Sequence, residues 1–223
     1  MNTNTKTVKG FTLIELLVVI GILAVLSVVI ILTLNPAELL KQARDSTRIS
    51  DLSTVRTAIS LYQVDVTTAV QIGGSAACYV SLPAATGLAA GCGLTTGVTR
   101  FGSTPTAATV TAPATPNKTD GNGWVPINIA GISTGSGGPP ISNLPLDPVN
   151  SITVASGTGA TALGAYYSYR AGTPTNSVCL TGACTVYEIN AFLESAKFAP
   201  QMVNDGGSNN ELYEAGSAPG LAL

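Results

Sequence analysis

Apolar residues run from Phe11 to Leu34, broken only by Thr12, Glu15, Gly21, Ser27 and Thr33. As a helix rising 1.5 Å per residue, these 24 residues span roughly 36 Å, enough to cross a bilayer core with some tilt. Asn35 and Pro36 then break the pattern. Proline lacks an N–H and disfavours helical geometry in the residue before it, so the pair predicts a kink or a second helix opening at Pro36. From Ala37 to about Asp65 the pattern turns amphipathic. Leu52, Val55, Ile59, Tyr62 and Val66 recur at spacings of three and four, while Arg44, Arg48, Asp51 and Arg56 fall mostly elsewhere. That apolar face needs a cover.

Short β-like runs at Tyr79 to Leu82, Trp124 to Ile129, Ala165 to Arg170 and Thr185 to Ala191 supply one, separated by Gly, Pro, Ser and Thr. In the last run Tyr187, Ile189 and Ala191 alternate with Val186, Glu188 and Asn190, the pattern of a strand with one buried face. The expected class is α+β: a long N-terminal helix, membrane-spanning in its first half, packed on a small antiparallel sheet with long loops. The expected divisions are a leader at 1–10, a membrane or filament-core helix at 11–34, its amphipathic continuation at 35–66 and a globular head at 67–223. Thr86 to Gly123 and Gly131 to Ala162 read as loops. Ser103 to Pro116 is the best candidate there for O-linked sugar, and Asn117-Lys118-Thr119 has the form of an N-linked acceptor; an unmodified loop explains the same residues.

Charged residues are only 10% of the chain, and no basic stripe for nucleic acid is present. There is no histidine, which removes Ser-His-Asp and Cys-His catalysis and His-ligated zinc. The chain does not read as an enzyme.

Glu15 is the only charge in the apolar segment. Carboxylates in such segments are costly and point to function, although a position near the helix start also lets the side chain snorkel to the interface. The preceding residues tip this balance. Met1 to Gly10 is polar with Lys6 and Lys9 and no anion, as a cytoplasmic flank should be, and the apolar run is too long for a secretory signal.

A short basic leader ending in Gly10, followed by Phe11-Thr12-Leu13-Ile14-Glu15-Leu16-Leu17, closely resembles the type IV pilin and pseudopilin family. The resemblance covers roughly residues 5 to 65. It implies cleavage between Gly10 and Phe11 by a prepilin peptidase that also methylates the new Phe11 amine. It further implies that Glu15 pairs with the amine of a neighbouring subunit and sets register during assembly. The expected partners are other copies in a homo-oligomeric filament, the peptidase, and an inner-membrane platform with its ATPase. The subunit would sit as a single pass in the inner membrane before assembly and at the cell surface afterwards. Losing Lys6 and Lys9 with the leader takes ten cations to eight, against twelve anions. A weaker likeness lies in Leu144-Pro145-Leu146-Asp147-Pro148 and Tyr166-Tyr167-Ser168-Tyr169, which look like the loop and strand of type II secretion pseudopilins. Those have an aromatic and a glycine after Asp-Pro, where this chain has Val149 and Asn150. A pseudopilin of a secretion or DNA-uptake machine and a membrane-anchored, adhesin-like surface protein are the alternatives.

Cys78, Cys92, Cys179 and Cys184 all follow the apolar segment, in a compartment that permits oxidation. Sequence proximity favours Cys78 with Cys92 and Cys179 with Cys184, whose intervening Thr181-Gly182 suits a tight turn. Zinc is the competing reading, but neither pair is spaced C-x₂-C. The run Asn204-Asp205-Gly206-Gly207-Ser208-Asn209-Asn210-Glu211 offers the hard oxygens a calcium ion takes, with Asp147 as a further ligand, and loosely resembles the calcium loop of major pseudopilins. It lacks the alternating acids of an EF-hand, and a polar surface turn accounts for the same residues.

Overall fold

The structure is a computed structural model. It describes residues 10–65, 72–73, 77–83, 100–101, 109–132, 138–152, 164–173, 184–218 and 220, the side chains of 32–34 excepted. The chain divides into two compact units, Met1–Leu40 and Lys41–Leu223.

In the first unit, α1 (Leu13–Leu34) is apolar on every side beyond Glu15, and its described side chains are exposed. Ser27 donates its hydroxyl to Leu23 O at 2.7 Å, so a polar group in an apolar stretch is satisfied by the helix itself. Asn35 ends α1 in the left-handed region (φ 40°), which asparagine tolerates better than most residues. Its carbonyl then accepts from Glu38 N and Leu39 N. Pro36 therefore opens α2 (Pro36–Asp65), the second of the two outcomes its position predicts.

In the second unit, Leu52, Val55, Ala58 and Ile59 of α2 are fully buried, and Tyr62 packs at their edge. Val66 lies outside the described residues. The opposing surface is a five-stranded sheet of β1 (Ala77–Val80), β2 (Thr109–Thr111), β3 (Ser168–Gly172), β4 (Val186–Ala191) and β5 (Tyr213–Gly216), in the order β2-β1-β3-β4-β5. A short α3 (Ala199–Asn204) precedes β5. Pairs β1·β3, β3·β4 and β4·β5 are antiparallel; the edge pair β1·β2 is parallel. Residues 81–108 separate those two strands, which is length enough for a same-direction return where a hairpin would impose the opposite one. Tyr169 stacks on Tyr187, Trp124 meets Tyr167, and these rings join Ile189, Ala191 and the α2 residues in one core.

Three expectations change on contact with the fold. Trp124 to Ile129 is not a strand. Its Trp124, Val125, Ile127 and Ile129 are all buried, but Trp124 N donates to Pro116 O and the segment ends in a single 3₁₀ turn at Ile129–Gly131, so an irregular loop fills this part of the core. Thr109–Thr111, read as loop, is an edge strand. In β3 and β4 both faces are buried, not one. Ser168, Arg170, Glu188 and Asn190 form a polar layer on the face opposite Tyr169, Tyr187 and Ile189.

Candidate functional site

The residues singled out by the sequence fall in three places. At the start of α1, Gly10 and Phe11 are exposed and precede the helix, and Thr12 is its N-cap in extended conformation (φ −82°, ψ 149°). The Thr12 hydroxyl accepts from Glu15 N at 3.3 Å, and Glu15 Oε2 accepts from Thr12 N at 2.9 Å and from Thr12 Oγ1 at 2.8 Å. This is a reciprocal capping box, which satisfies amides that the first helical turn leaves open and sets an anion at the positive end of the helix dipole. Only Oε2 is used; Oε1 accepts no hydrogen bond among the described residues. Around Glu15 stand Phe11, Ile14, Val18 and Val19, and beyond them Leu13–Ile31 is long and apolar enough to cross a membrane, with none of it buried in the chain.

The second place is a buried charge cluster around Arg48, which the sequence pattern set off the apolar face of α2, and Asp147, read there as a calcium ligand. Arg48 is fully buried. Its Nε and Nη2 bind the two oxygens of Asp147 at 2.7 and 3.0 Å, Nη1 meets Asp45 at 2.8 Å, and Nη2 also meets Glu194 at 2.7 Å. Asp45 in turn accepts from Glu194 N, Ser195 N and Ser195 Oγ, and Arg44 binds Glu194 from the side. Burial opposes the Arg48 charge, but Asp147 and Glu194 outweigh it and hold its pKa above the usual value. Glu194 is treated likewise: burial pushes its pKa up, and Arg44 and Arg48 bring it below the ordinary carboxylate range. Beside the cluster, the Tyr167 hydroxyl donates to Asp51 at 2.7 Å. The side chains of α2 thus bind both the 144–150 loop and the 194–195 turn, fixing the helix to the head by ion pairs as well as by its apolar face. Arg48 stands four residues before Leu52, one turn ahead of the apolar face of α2, and that spacing is the sequence signal for its inward position.

The third place is the C-terminal run. Asp147 is engaged elsewhere: Arg48 binds both of its oxygens, and Oδ1 also accepts from Val149 N and Asn150 N. Asn204 ends α3 and donates to Pro200 O, Asp205 accepts from Gly207 N and Glu214 N, and Ser208 is exposed. Among the described residues no group of three or more acidic or cysteine side chains is gathered as a metal site. Cys78 in β1 and Cys184 before β4 are both buried and disulfide-bonded. Cys92 and Cys179, with the pairing expected of them, lie outside the described residues. Asn117 is exposed, but the Thr119 hydroxyl of that sequon is buried and donates to Ser142 O.

Residues 5–31 match the family model of the prokaryotic N-terminal methylation motif, the signature of type IV pilins and pseudopilins, and with it the type of sequence that prepilin peptidase processes. The matched span ends where the membrane-length stretch of α1 ends. No curated relative and no solved structure matches the chain.

Proposed function

We propose that the chain is a structural subunit of a type IV pilus-like filament. Prepilin peptidase cuts between Gly10 and Phe11 and methylates the Phe11 amine. The inner-membrane platform and its ATPase then withdraw the subunit, and α1 exchanges lipid for the α1 helices of other copies. The observation that carries this reading is Glu15, a lone carboxylate with one oxygen unused among the described residues, on a helix whose described side chains are exposed. A helix apolar all round is stable only against lipid or other apolar helices, and a filament core supplies the latter. A charge there is tolerated when a neighbour's amine meets it, and such a pair sets register more than it adds stability.

Electron microscopy of sheared surface material, with mass spectrometry of its N-terminal peptide, tests the proposal. The expected result is filaments whose chain begins at methylated Phe11. A mature terminus downstream of Leu34 overturns it. A chain found only in the membrane fraction identifies an anchored surface-binding protein instead. A secretion defect on deletion, with no surface filament, identifies a pseudopilin.

A further inference from the structure

Beside the edge strand β5 lies a cavity that the assembly reading does not use. It measures about 630 Å³ and opens to solvent, within the roughly 300–1,000 Å³ of small-molecule sites. Arg56 reaches it from α2, Gln201 and Asn204 from α3, and β5 with Ser217 forms the remaining wall. The walls are held in place by bonds between elements. The Tyr187 hydroxyl donates to Arg56 O at 3.4 Å, Tyr187 N to Ser217 Oγ at 2.9 Å, and Glu214 N to Asp205 Oδ2 at 2.6 Å. Several of the polar groups on this lining are unspent. Among the described residues the exposed Arg56 guanidinium makes no ion pair or hydrogen bond, and neither the Gln201 side-chain amide nor the Tyr213 hydroxyl has a partner. Asn204 uses Nδ2 on Pro200 O and leaves Oδ1 open, while Ser217 Oγ accepts from Tyr187 N and keeps its hydrogen to donate. The two carboxylates are engaged instead. Asp205 accepts from Gly207 N and Glu214 N, and Glu214 Oε2 accepts from Asn209 N at 2.8 Å.

We infer that this cavity binds a neutral saccharide, with the Arg56 fork on two neighbouring hydroxyls and the Tyr213 ring against the apolar face of the sugar. The open groups include donors, on Arg56, Ser217 and Gln201, and acceptors, on Asn204 and Gln201, and Tyr213 offers both. A sugar hydroxyl is itself one donor and two acceptors, so a compact ring carrying several of them answers this mixed set. The planar guanidinium suits two adjacent oxygens better than a point charge would. An apolar ligand would take water from these groups and return no hydrogen bond, at a cost for each. Charge selects further. An anion drawn to Arg56 would stand beside Asp205 and Glu214 in the same cavity, and a cation drawn to those carboxylates would stand beside Arg56. An extended peptide is disfavoured by the edge itself, because Glu214 N, which β5 would offer to an added strand, is already taken by Asp205. Tyr213 is half-buried and packs on the core, which holds its ring as a fixed wall.

The test is nitrogen-labelled NMR of the full chain in a phosphocholine detergent, whose headgroup carries no sugar. The probes are the methyl glycosides of glucose, galactose, mannose and N-acetylglucosamine, with glucuronate and an acidic hexapeptide for comparison. At least one neutral glycoside should give saturable shifts, at millimolar concentration, in the side-chain amides of Gln201 and Asn204 and the backbone amides of 213–217, and none in β2 at the opposite edge. Arg56→Met, a change at an exposed position, should weaken that binding about tenfold or more. Gln201→Ala, also exposed, should weaken it less, and it carries the test if Arg56→Met does not fold. No saturable shift from any of the four glycosides up to about 50 mM overturns the inference. So does equal affinity in both variants. Tighter binding of glucuronate would make this an anion site, and tighter binding of the hexapeptide a peptide groove; either result also overturns it.

Discussion

Glu15 and Arg48 are both charges on N-terminal helices, and they are handled in opposite ways. Arg48 is withdrawn from water and met by three carboxylates, each of which is held by a further donor, so its charge is answered inside the chain. Glu15 is exposed and, among the described residues, is held only by the residue that caps its own helix and keeps one oxygen unused. A charge whose capacity is spent within the fold serves the fold. One left open on an otherwise apolar surface is set for a partner from outside. The two units differ in the same sense: the described side chains of α1 are exposed, while the head, with its two-faced sheet, buries its own core.

The strongest way to break this contrast is at Arg48. Arg48→Met keeps the bulk and leaves Asp45, Asp147 and Glu194 buried without their cation, a change that costs about 3 to 5 kcal/mol. Denaturant unfolding of the full chain in detergent should show that loss in the head, while membrane insertion and cleavage at Gly10 stay normal. An unchanged midpoint would mean the cluster is ornamental and the contrast false. Glu15→Val is the mirror experiment. Head stability, insertion and cleavage should be untouched, and filament yield should drop to roughly a tenth or less, since a neighbour's amine is left uncompensated. Normal yield would return Glu15 to the role of a snorkelling interfacial side chain.

What the sequence made legible follows from how local each signal is. The apolar run, the restart at Pro36 and the Leu52-Val55-Ile59 face are set by period and by proline, so they read directly from the chain. The burial of Arg48 and Asp45 depends on Asp147 and Glu194, which are distant in sequence, and the polarity of these residues argued for solvent. Trp124 to Ile129 carried the right composition for a strand and the right burial, but its hydrogen bonds run to turns. In β5, Tyr213 and Ala215 join the apolar core while Glu214 lies on the other face, and a four-residue strand that carries a carboxylate and a glycine gives little local signal. At the site itself, Gly10, Phe11 and Glu15 are a local motif, whereas the ion-paired joint of α2 with the head is tertiary.

The disulfides sharpen the comparison on the side of the head. If Cys78 closes with Cys92, the loop of about 15 residues accounts for roughly 3 kcal/mol in the chain-entropy model. Reduction should lower the unfolding midpoint of the head and leave cleavage unchanged, and nonreducing peptide maps should recover Cys78 with Cys92 and Cys179 with Cys184. A Cys92 to Cys179 peptide would refute the local pairing. Acid should act on the ion-paired joint. Glu194 has a lowered pKa in the fold, so it contributes stability that is present above the unfolded value of 4.5 and is lost as the pH falls through the folded one. The midpoint should drop below about pH 4.5, and more shallowly in Glu194→Gln, which starts lower.

The smallest effect is expected at Asp51, which separates the joint from its margin. Its carboxylate accepts from the Tyr167 hydroxyl at 2.7 Å but is only half-buried, and none of the arginines is bonded to it. Burial raises its pKa and the Tyr167 bond opposes the rise, while burial and the Asp51 carboxylate keep the Tyr167 hydroxyl protonated well above its ordinary range. Asp51→Asn keeps an acceptor for that hydroxyl and removes the repulsion from nearby Asp147, so the two changes offset and the net loss should be about 1 kcal/mol or less. Asp51→Ala removes the acceptor and should cost more, because the buried hydroxyl is left without its partner. Equal losses in the two variants would show that the hydrogen bond adds nothing, and a loss in Asp51→Asn as large as in Arg48→Met would place Asp51 inside the charge cluster and extend the spent side of the contrast by one more turn of α2.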